Sequence, residues 1–352
     1  MQITKTKTDI LIDGTIDEVK LHANYLRLYT DNIIIADIPY EQINSIIIIG
    51  SNTSISGRLI KVCSQRQIPL HIITEQFKHY GSIYFAVHNN IKNRILQYKV
   101  LIHDKWCIYL SKQLIYSKIL TQKNFLERVN DSASLNKYLD KVKDKKSLNS
   151  LLGLEGVSAS IYWQSFTQLI PDHILREFRW KGRIKNPCLD PINSMLSLGY
   201  GLLSTQCQSS LTINGLDPYL GILHVVSEDR PALVYDIMEI YRVLLVDSWV
   251  LSLINNKIFK PEDFTFTKEG VCTLKIDKKN EFFSLWYRRL KHYEFSTTKG
   301  KLTIHQFLEL NTLELINWLK KIHNNKIRDT GKTDLLTQNL ITFTNPDEFA
   351  QI

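Results

Sequence analysis

Two ionisable side chains stand out in this 352-residue sequence because almost nothing around them is charged. Glu155 is the only charged residue between Lys146 and Asp172, and His224 ends the apolar run Gly215-Leu-Asp-Pro-Tyr-Leu-Gly-Ile-Leu-His224. A carboxylate in such a setting is costly to desolvate unless a metal, a cation or a hydrogen-bond network compensates it. A histidine beside a carboxylate can ligate a metal or carry a proton. Taken singly, a helix-edge glutamate and a satisfied core histidine are the plainer interpretations.

A third signal is the helix that Asp229-Arg230-Pro231 is expected to start, with Asp229 as its N-cap and Pro231 in its first turn. At about 100° per residue the acids of this helix fall within an arc of roughly 80°. Such an acidic edge on an otherwise apolar helix is expected to face a cleft or a cation, and a surface stripe is the alternative. From Leu233 to Asp247 there are eleven apolar residues and four charged ones, Asp236, Glu239, Arg242 and Asp247.

Small residues beside Glu155 predict a close helix contact. Gly153, Gly156, Ser158 and Ala159 leave little side-chain bulk on this segment. We therefore expect another backbone to approach here, as in a packed pair of helices.

Together these segments supply carboxylate oxygens and one imidazole from the apolar interior of one region. The donors are Glu155, His224 and the pair Asp236-x-x-Glu239. Oxygen ligands with a single imidazole suit Mg²⁺ or Mn²⁺ better than Zn²⁺, since no thiolate accompanies them. A hard cation held by carboxylates beside a basic surface is suited to phosphodiester chemistry.

Basic residues point to a polyanionic partner. The 44 Lys and Arg residues exceed the 35 Asp and Glu residues, so the formal net charge is +9, which favours nucleic acid without requiring it. The densest basic segment, 176–185, interleaves aromatic residues with cations that can neutralise phosphates, and the aromatic faces can stack on unpaired bases. Its candidate DNA contacts are Arg176, Arg179, Trp180, Lys181, Arg183 and Lys185.

The elements that position these residues divide the chain in two. Short β-branched segments separated by turn residues predict strands at 18–29, 32–36, 45–49, 70–73 and 81–85, with a helix at 57–63. From residue 89 apolar side chains recur about every 3.6 residues, which predicts helices. We therefore predict an α+β protein. It has a small N-terminal β-rich domain (1–88), a larger all-α catalytic domain (89–325) and a flexible tail (326–352).

Several protein classes are excluded by the composition. Five scattered cysteines without a Cys-x-x-Cys pair argue against a disulfide framework and a zinc finger, and fit reduced thiols. The first residues lack the apolar core of a signal peptide, and no apolar run approaches the span of a bilayer. We expect a soluble, cytoplasmic protein with no membrane partner.

The longer motifs resemble the CRISPR-associated spacer-acquisition integrases, the "Cas-one" family. The resemblance covers roughly residues 1–325, and its specific motifs all lie in the helical part. The matching segments, which follow the family in order and spacing, are Leu154-Glu155-Gly156 with Tyr162, Asp190-Pro-Ile-Asn-Ser-Met-Leu-Ser-Leu-Gly-Tyr200, Gly215 to His224, and Arg230-Pro-Ala-Leu-Val-Tyr-Asp-Ile-Met-Glu-Ile-Tyr-Arg242.

This resemblance implies site roles and an activity. Glu155, His224 and Glu239 are expected to bind Mg²⁺ or Mn²⁺, Asp236 to be a supporting catalytic acid, and Arg242 to lie near the DNA. The implied enzyme is a metal-dependent DNA endonuclease and integrase, which inserts short DNA fragments into a CRISPR repeat by 3′-hydroxyl attack on a phosphodiester.

The resemblance also implies partners. These are double-stranded DNA (protospacer and CRISPR repeat), a second copy joined through the β domains, and a small ferredoxin-like protein, "Cas-two". Two such homodimers flank a dimer of that partner in a heterohexamer. Two alternatives remain: a transposon-encoded integrase of the same fold, and a non-catalytic DNA-binding scaffold subunit.

Overall fold

The chain folds into a β-rich N-terminal region followed by a mostly helical region, which confirms the predicted fold class. Its computed structural model describes residues 8–12, 16–50, 52–66, 68–74, 79–83, 90–127, 133–184, 187–224, 230–297 and 300–324. Two compact units are present: Met1–Asn89 with Asn280–Tyr293, and Asn90–Lys279 with Glu294–Ile352. Residues 280–293, expected within the helical domain, therefore cluster with the first unit.

The N-terminal part of the first unit contains two four-stranded sheets. In one, β1, β5 and β7 run parallel and β8 is antiparallel to β7. In the other the order is β4-β3-β2-β6, antiparallel except for the parallel pair β2 and β6. The elements are β1 (Thr8–Ile12), β2 (Glu18–His22), β3 (Tyr25–Thr30), β4 (Ile33–Pro39), β5 (Ile43–Ile49), β6 (Ser54–Ile55), α1 (Gly57–Arg66), β7 (Leu70–Ile73) and β8 (His79–Ile83).

The strand predicted at 18–29 is a hairpin. His22 pairs with Tyr25, and the two residues between them form the turn. Ala23 adopts a positive φ of 50°, a conformation that a two-residue hairpin requires and that composition alone does not signal at an alanine.

The isoleucine run of β5 lies in the interior of its sheet, between β1 and β7. Ile46–Ile49 are all buried, as expected for a strand with parallel neighbours and two covered faces. The sequence predicted this strand but not β1 beside it. It placed the last strand at 81–85, whereas β8 spans His79–Ile83, and residues 84–85 lie outside the described part of the chain.

The second unit is built mainly from helices. Ser147 caps α5 by accepting a hydrogen bond from the Ser150 amide, and Asp190 caps α7 with Pro191 in its first turn. The helices are α2 (Ile91–Leu101), α3 (Asp104–Leu126), α4 (Ala133–Val142), α5 (Leu148–Thr167), α6 (Asp172–Glu177), α7 (Pro191–Ile213), α8 (Ala232–Tyr241), α9 (Ser248–Asn255), α10 (Ile276–His292, its residues from 280 in the first unit) and α11 (Ile304–His323). Two short hairpins complete it, β9 (Phe264–Phe266) with β10 (Cys272–Leu274) and β11 (Glu294–Thr297) with β12 (Gly300–Thr303).

The helix predicted from Leu233 to Asp247 changes its winding part of the way along. A π-helical turn, Arg242–Asp247, separates α8 from α9. This turn packs closely on α7, since a Cβ added to Gly199 would lie 2.6 Å from Cγ1 of Val246. The helix begins directly after Pro231, and the predicted cap Asp229 lies outside the described residues.

Two further expectations concern the chain as a whole. The predicted tail, 326–352, falls outside the part of the chain that the structure describes. Within the described helices, none combines the length and the apolar character needed to cross a bilayer.

Candidate active site

Two of the predicted acids meet at a lysine. Lys118 on α3 donates a hydrogen bond from Nζ to Oε1 of Glu155 on α5, and the same Nζ lies 2.7 Å from Oε2 of Glu239 on α8. The side chains of Lys118 and Glu239 are only 8% and 11% exposed, whereas Glu155 is 25% exposed. Three helices thus bring two carboxylates and one ammonium together at the edge of the core.

The second oxygen of Glu239 faces a different cation. Nη2 of Arg242 lies 3.1 Å from Oε1, and the guanidinium lies 4.8 Å from the centre of the Tyr200 ring. Burial raises the pKa of Glu239, but Arg242 and Lys118 outweigh it and hold that pKa at about 2. Burial lowers the pKa of Lys118, yet Glu239 and Glu155 raise it above its ordinary value. Arg242, expected near DNA, is therefore also the counter-ion of a candidate ligand.

Asp236 holds the loop that carries His224. Its Oδ2 accepts hydrogen bonds from the backbone N–H groups of Ile222 and Leu223, at 2.5 and 3.0 Å. Its Oδ1 accepts from the backbone N–H of His224 at 3.1 Å and from Nδ1 of the same residue at 2.5 Å. With about four lone-pair positions on a carboxylate, this fully buried acid has all of its acceptor capacity in use. Asp236 is thus built to position His224, and its role as a supporting catalytic acid stays a prediction.

The imidazole of His224 is oriented by that bond. Because Asp236 accepts from Nδ1, the neutral ring carries its proton there and Nε2 keeps a free lone pair. In the described part of the chain Nε2 makes no hydrogen bond, and the side chain is 40% exposed. The bond to Asp236 raises the pKa of His224 against the opposite effect of burial. Histidine metal ligands typically have this arrangement, with the other ring nitrogen bound to a carboxylate.

A glutamine and a glycine fix the rest of the loop. The Gln97 amide donates to the carbonyls of Asp217 and Leu220, both at 3.0 Å, and accepts from the Asp217 N–H at 2.7 Å. A Cβ added to Gly221 would lie 2.7 Å from Cβ of Ala232 and 2.8 Å from the carbonyl oxygen of His224. The loop therefore needs glycine at this position, a requirement that sequence reasoning missed.

The donor set of the site fits a hard divalent cation. Among the described residues, no three His, Cys, Asp or Glu side chains are gathered into a ligand group, and Lys118 contacts both Glu155 and Glu239. Oε2 of Glu239 is nevertheless fully buried and accepts no hydrogen bond of regular geometry from the described residues, although Lys118 is 2.7 Å away. Two carboxylate oxygens already share one cation there, and carboxylates with an imidazole suit Mg²⁺ or Mn²⁺.

The three acids of the predicted acidic edge do not share a role. Asp247 accepts hydrogen bonds from the hydroxyls of Tyr162, at 2.8 Å, and Tyr200. Burial raises its pKa. Asp236 and Asp247 are both buried and accept hydrogen bonds from neutral donors or His224, whereas Glu239 pairs directly with Lys118 and Arg242, contrary to the expectation of one continuous acidic edge.

The basic segment is only partly exposed. Arg176, Arg179 and Lys181 reach solvent, as DNA contacts require. Trp180, predicted to stack on bases, is only 7% exposed. Its Nε1 donates to Oγ1 of Thr167, and its ring packs with the rings of Trp163 and Phe166. The alternation therefore reflects exposed cations on either side of a core tryptophan, and the predicted stacking role of Trp180 is wrong.

Arg183 is occupied within the fold. Its guanidinium donates to Oδ1 of Asn193 at 2.7 Å and to Oγ of Ser197 at 3.2 Å, so it braces the start of α7. This leaves Arg183 less free for phosphate than the sequence implied. Lys185 lies outside the described residues.

The glycines beside Glu155 do not mark a helix contact. A Cβ added to Gly153 or Gly156 would meet nothing within 4 Å, and both positions are exposed. Gly153 and Gly156 lie on the outer face of α5, so the predicted close approach of another backbone is wrong at these two residues, whereas Ser158 is buried.

The most informative residue missed from the sequence is Lys118. It lies among Leu114, Ile115 and Ile119, all buried, and so is a lysine on the apolar face of α3. An isolated lysine on such a face is costly unless it is paired, which is the signal that could have identified it.

Comparison with known proteins identifies the family. The profile of "CRISPR associated protein Cas1" matches residues 10–288. The "CRISPR-associated endonuclease Cas1 3" of Thermus thermophilus is 34% identical over 254 residues, covering 72% of this chain and 75% of the relative.

Three solved structures share the fold. A Cas1 protein from Thermotoga maritima has a TM-score of 0.78 at 22% identity, covering 89% of this chain and 97% of that chain. A chain of a "Cas6-RT-Cas1--Cas2 complex" has 0.78 at 24%, covering 98% and 37%. A "Casposase bound to integration product" has 0.78 at 23%, covering 90% and 91%. At these identities the structures establish the fold alone, whereas the profile and the relative establish descent: the chain belongs to the Cas1 family of CRISPR-associated proteins.

Proposed function

We propose that this protein is a metal-dependent DNA endonuclease and integrase of CRISPR adaptation. Family membership supports the general assignment, since relatives carry the name CRISPR-associated endonuclease. The observation that carries the chemistry is the convergence of Glu155 and Glu239 on one cation, beside a histidine oriented by Asp236.

Glu155, Glu239 and the Nε2 atom of His224 are the groups that would hold Mg²⁺ or Mn²⁺. Such a cation, when bound, polarises a phosphodiester and stabilises the charge that develops on the attacking and leaving oxygens. Residues of the chain hold these groups in the protonation state and orientation that cation binding requires. Arg242 maintains Glu239 as a carboxylate, and Asp236 directs the Nε2 lone pair away from the loop backbone.

The reaction we propose is a transesterification. The 3′-hydroxyl oxygen of a captured DNA fragment attacks phosphorus at the edge of a repeat, and a new phosphorus–oxygen bond forms. The bond from that phosphorus to the 3′-oxygen of the repeat strand breaks, and the proton lost by the attacking hydroxyl is replaced on the leaving oxygen. The number of phosphodiesters is unchanged, so no energy source is needed. With water as the nucleophile the same site hydrolyses DNA, and the reverse reaction disintegrates a branched substrate.

Exposed cations of the basic segment would hold the duplex. Arg176, Arg179 and Lys181 project from the end of α6 and the residues after it. Contacts with phosphate position DNA without reading its sequence, and they weaken as salt rises. Repeat choice would then depend on DNA deformation and on partners.

A homodimer joined through the β domains is also proposed. Ile33, Ile34 and Ile35 are 65%, 50% and 55% exposed at the start of β4, an edge strand. Consecutive exposed isoleucines at a sheet edge favour pairing with another chain. We assign that chain to a second copy, with the resulting dimers flanking a "Cas-two" dimer in a heterohexamer. The fold shared with a chain of a Cas1–Cas2 complex supports the second assignment.

A disintegration assay tests the proposed activity. Wild type is incubated with branched DNA and Mn²⁺, alongside Glu155→Gln, Glu239→Gln and His224→Ala, and Glu127→Gln serves as a control on an exposed carboxylate. We expect metal-dependent turnover that falls by about 10²-fold or more in the three site variants and is unchanged in the control. An inert wild type points to the non-catalytic scaffold, and turnover that survives in the site variants overturns the site.

The second candidate is a transposon integrase of the same fold. The observation in its favour is the fold shared with a casposase, at a TM-score of 0.78. Two competition assays distinguish the candidates. An enzyme of CRISPR adaptation should integrate into a CRISPR repeat in preference to a plasmid without one. A transposon integrase should instead prefer donor DNA whose ends carry its own terminal repeats.

A further inference from the structure

The ammonium of Lys118 lies where two candidate metal ligands converge. It donates to Glu155 and lies 2.7 Å from Glu239, and its own side chain is 8% exposed. A lysine at this depth is stable only with counter-ions, and both counter-ions here are acids assigned to the cation.

The charges around this position balance without a metal. Glu155 and Glu239 contribute two negative charges, while Lys118 and Arg242 contribute two positive ones. The nearby Asp236 is not available to the cation in the same way, because its oxygens accept hydrogen bonds from its loop and from Nδ1 of His224. A divalent cation arriving with Lys118 in place would therefore meet carboxylates that are already neutralised, and would be repelled by the ammonium at short range.

We propose that Lys118 is a built-in counter-ion that stabilises the metal-free site and competes with the divalent cation for Glu155 and Glu239. The inference rests on the proposed function, because it takes these acids as the metal ligands. Lys118 is a positioning residue in this scheme: it holds the two carboxylates together before loading and gives up at least one of them when the cation binds. Lys118 thus orders the two carboxylates before the cation binds, and it lowers the affinity of the site for that cation.

Two measurements on Lys118→Met test this proposal, with Lys123→Met as a control on the same helix. The first is the unfolding midpoint in EDTA. The two acids lose their shared counter-ion in Lys118→Met, so we expect the midpoint to fall by about 5–10 °C. Removing one of the acids as well, in Lys118→Met/Glu155→Gln, should restore part of that loss. A double variant that is less stable than Lys118→Met contradicts the counter-ion role.

The second measurement is titration with MnCl₂ alone, followed by calorimetry and by the electron paramagnetic resonance signal of free Mn²⁺. Without its competitor the site should bind Mn²⁺ about tenfold or more tightly in Lys118→Met, with no change in the control. Unchanged or weaker binding overturns the competition. Lys118→Arg keeps the charge, and it should retain affinity nearer to wild type than Lys118→Met does; equal tightening in both variants also contradicts the proposal.

Failure of this inference and failure of the proposed function are distinguishable. If wild type carries out metal-dependent disintegration but Lys118→Met binds Mn²⁺ no more tightly, the function stands and the competition falls. If neither protein binds Mn²⁺ while the stability cycle shows coupling between Lys118 and Glu155, the metal-dependent function falls and Lys118 is a structural counter-ion only, which rejects competition as well.

Discussion

The buried carboxylate of Asp236 and the imidazole of His224 form a 2.5 Å hydrogen bond through Nδ1, and the same carboxylate accepts the backbone N–H of His224. One acid therefore fixes the loop, the ring and the proton position of the ring. The two acids of the Asp236-x-x-Glu239 motif therefore have different roles: Asp236 positions a candidate ligand, and Glu239 is itself a candidate ligand.

Replacing Asp236 with asparagine should uncouple His224 from its loop. Asparagine is neutral and keeps one acceptor oxygen in place of two, so the backbone N–H groups of Ile222 and Leu223 and the two N–H groups of His224 can no longer all be satisfied. We expect a loss of about 2–3 kcal/mol in the free energy of unfolding and a 10–100-fold loss of activity. The pKa of His224, raised above 6.5 by this bond in wild type, should fall in the variant. Urea unfolding and NMR titration of ¹³C-labelled histidine measure both effects, and an unchanged histidine titration contradicts this role for Asp236.

The stability contributed by Glu239 should depend on pH in the acid range. Its pKa in the folded protein is about 2 against an ordinary value of 4.5, because Arg242 and Lys118 outweigh burial. An acid with a lowered pKa stabilises the fold fully above its unfolded value, and this contribution is lost as the pH falls from about 4.5 towards 2. Wild type should exceed Glu239→Gln by up to about 3 kcal/mol near pH 6, and the difference should shrink by pH 3. Urea unfolding at several pH values tests this, and a constant difference contradicts it.

Glycine at 221 should be required, whereas glycine at 153 should be replaceable. Alanine at 221 meets Ala232 and the His224 carbonyl below 3 Å, so the loop that carries His224 must shift. We expect a loss of about 1–3 kcal/mol and reduced activity. Alanine at 153 meets nothing within 4 Å in the middle of α5 and should stabilise by about 0.5–1 kcal/mol. Thermal unfolding of both variants provides the comparison, and equal effects at the two positions would count against the close approach at Gly221.

Tyr200→Phe should lower stability more than activity. It removes one of the two tyrosine donors to the buried Asp247 but keeps the ring beneath Arg242. An unsatisfied buried carboxylate oxygen costs about 1–3 kcal/mol, while Arg242 retains its ring contact and its pairing with Glu239. Denaturant unfolding with the disintegration assay separates the two quantities. A large loss of activity at unchanged stability would instead place Tyr200 in the chemistry.

The site residues identified from the sequence all lie in segments with few other charged residues, whereas the missed Lys118 lies on a helix with several lysines. Glu155, His224 and Glu239 are conspicuous because their local sequence is apolar, and burial of acids requires compensation wherever they lie. Lys118 is buried as well, and its apolar helix face sets it apart, but lysines at 105, 112 and 123 accompany it along α3, and the packing of the helices is needed to show that it faces the acids.

Local composition also gave wrong predictions where tertiary packing decides whether a side chain is buried. Trp180 is flanked by basic residues in the sequence, yet a turn with positive φ at Arg179 directs the ring into the core. The strand order of the two sheets and the π-turn after Tyr241 likewise depend on packing partners distant in the sequence. The order of a β-rich part before a helical part was predictable, because hydrophobic periodicity is a local property.

The most direct test of the central claim is the location of the cation. Crystals grown with MnCl₂ should show an anomalous peak within about 2.3 Å of carboxylate oxygens of Glu155 and Glu239 and of Nε2 of His224, with Lys118 displaced from at least one acid. An active protein whose only Mn²⁺ peaks lie away from these three residues, with Lys118 still between the two glutamates, would contradict the account.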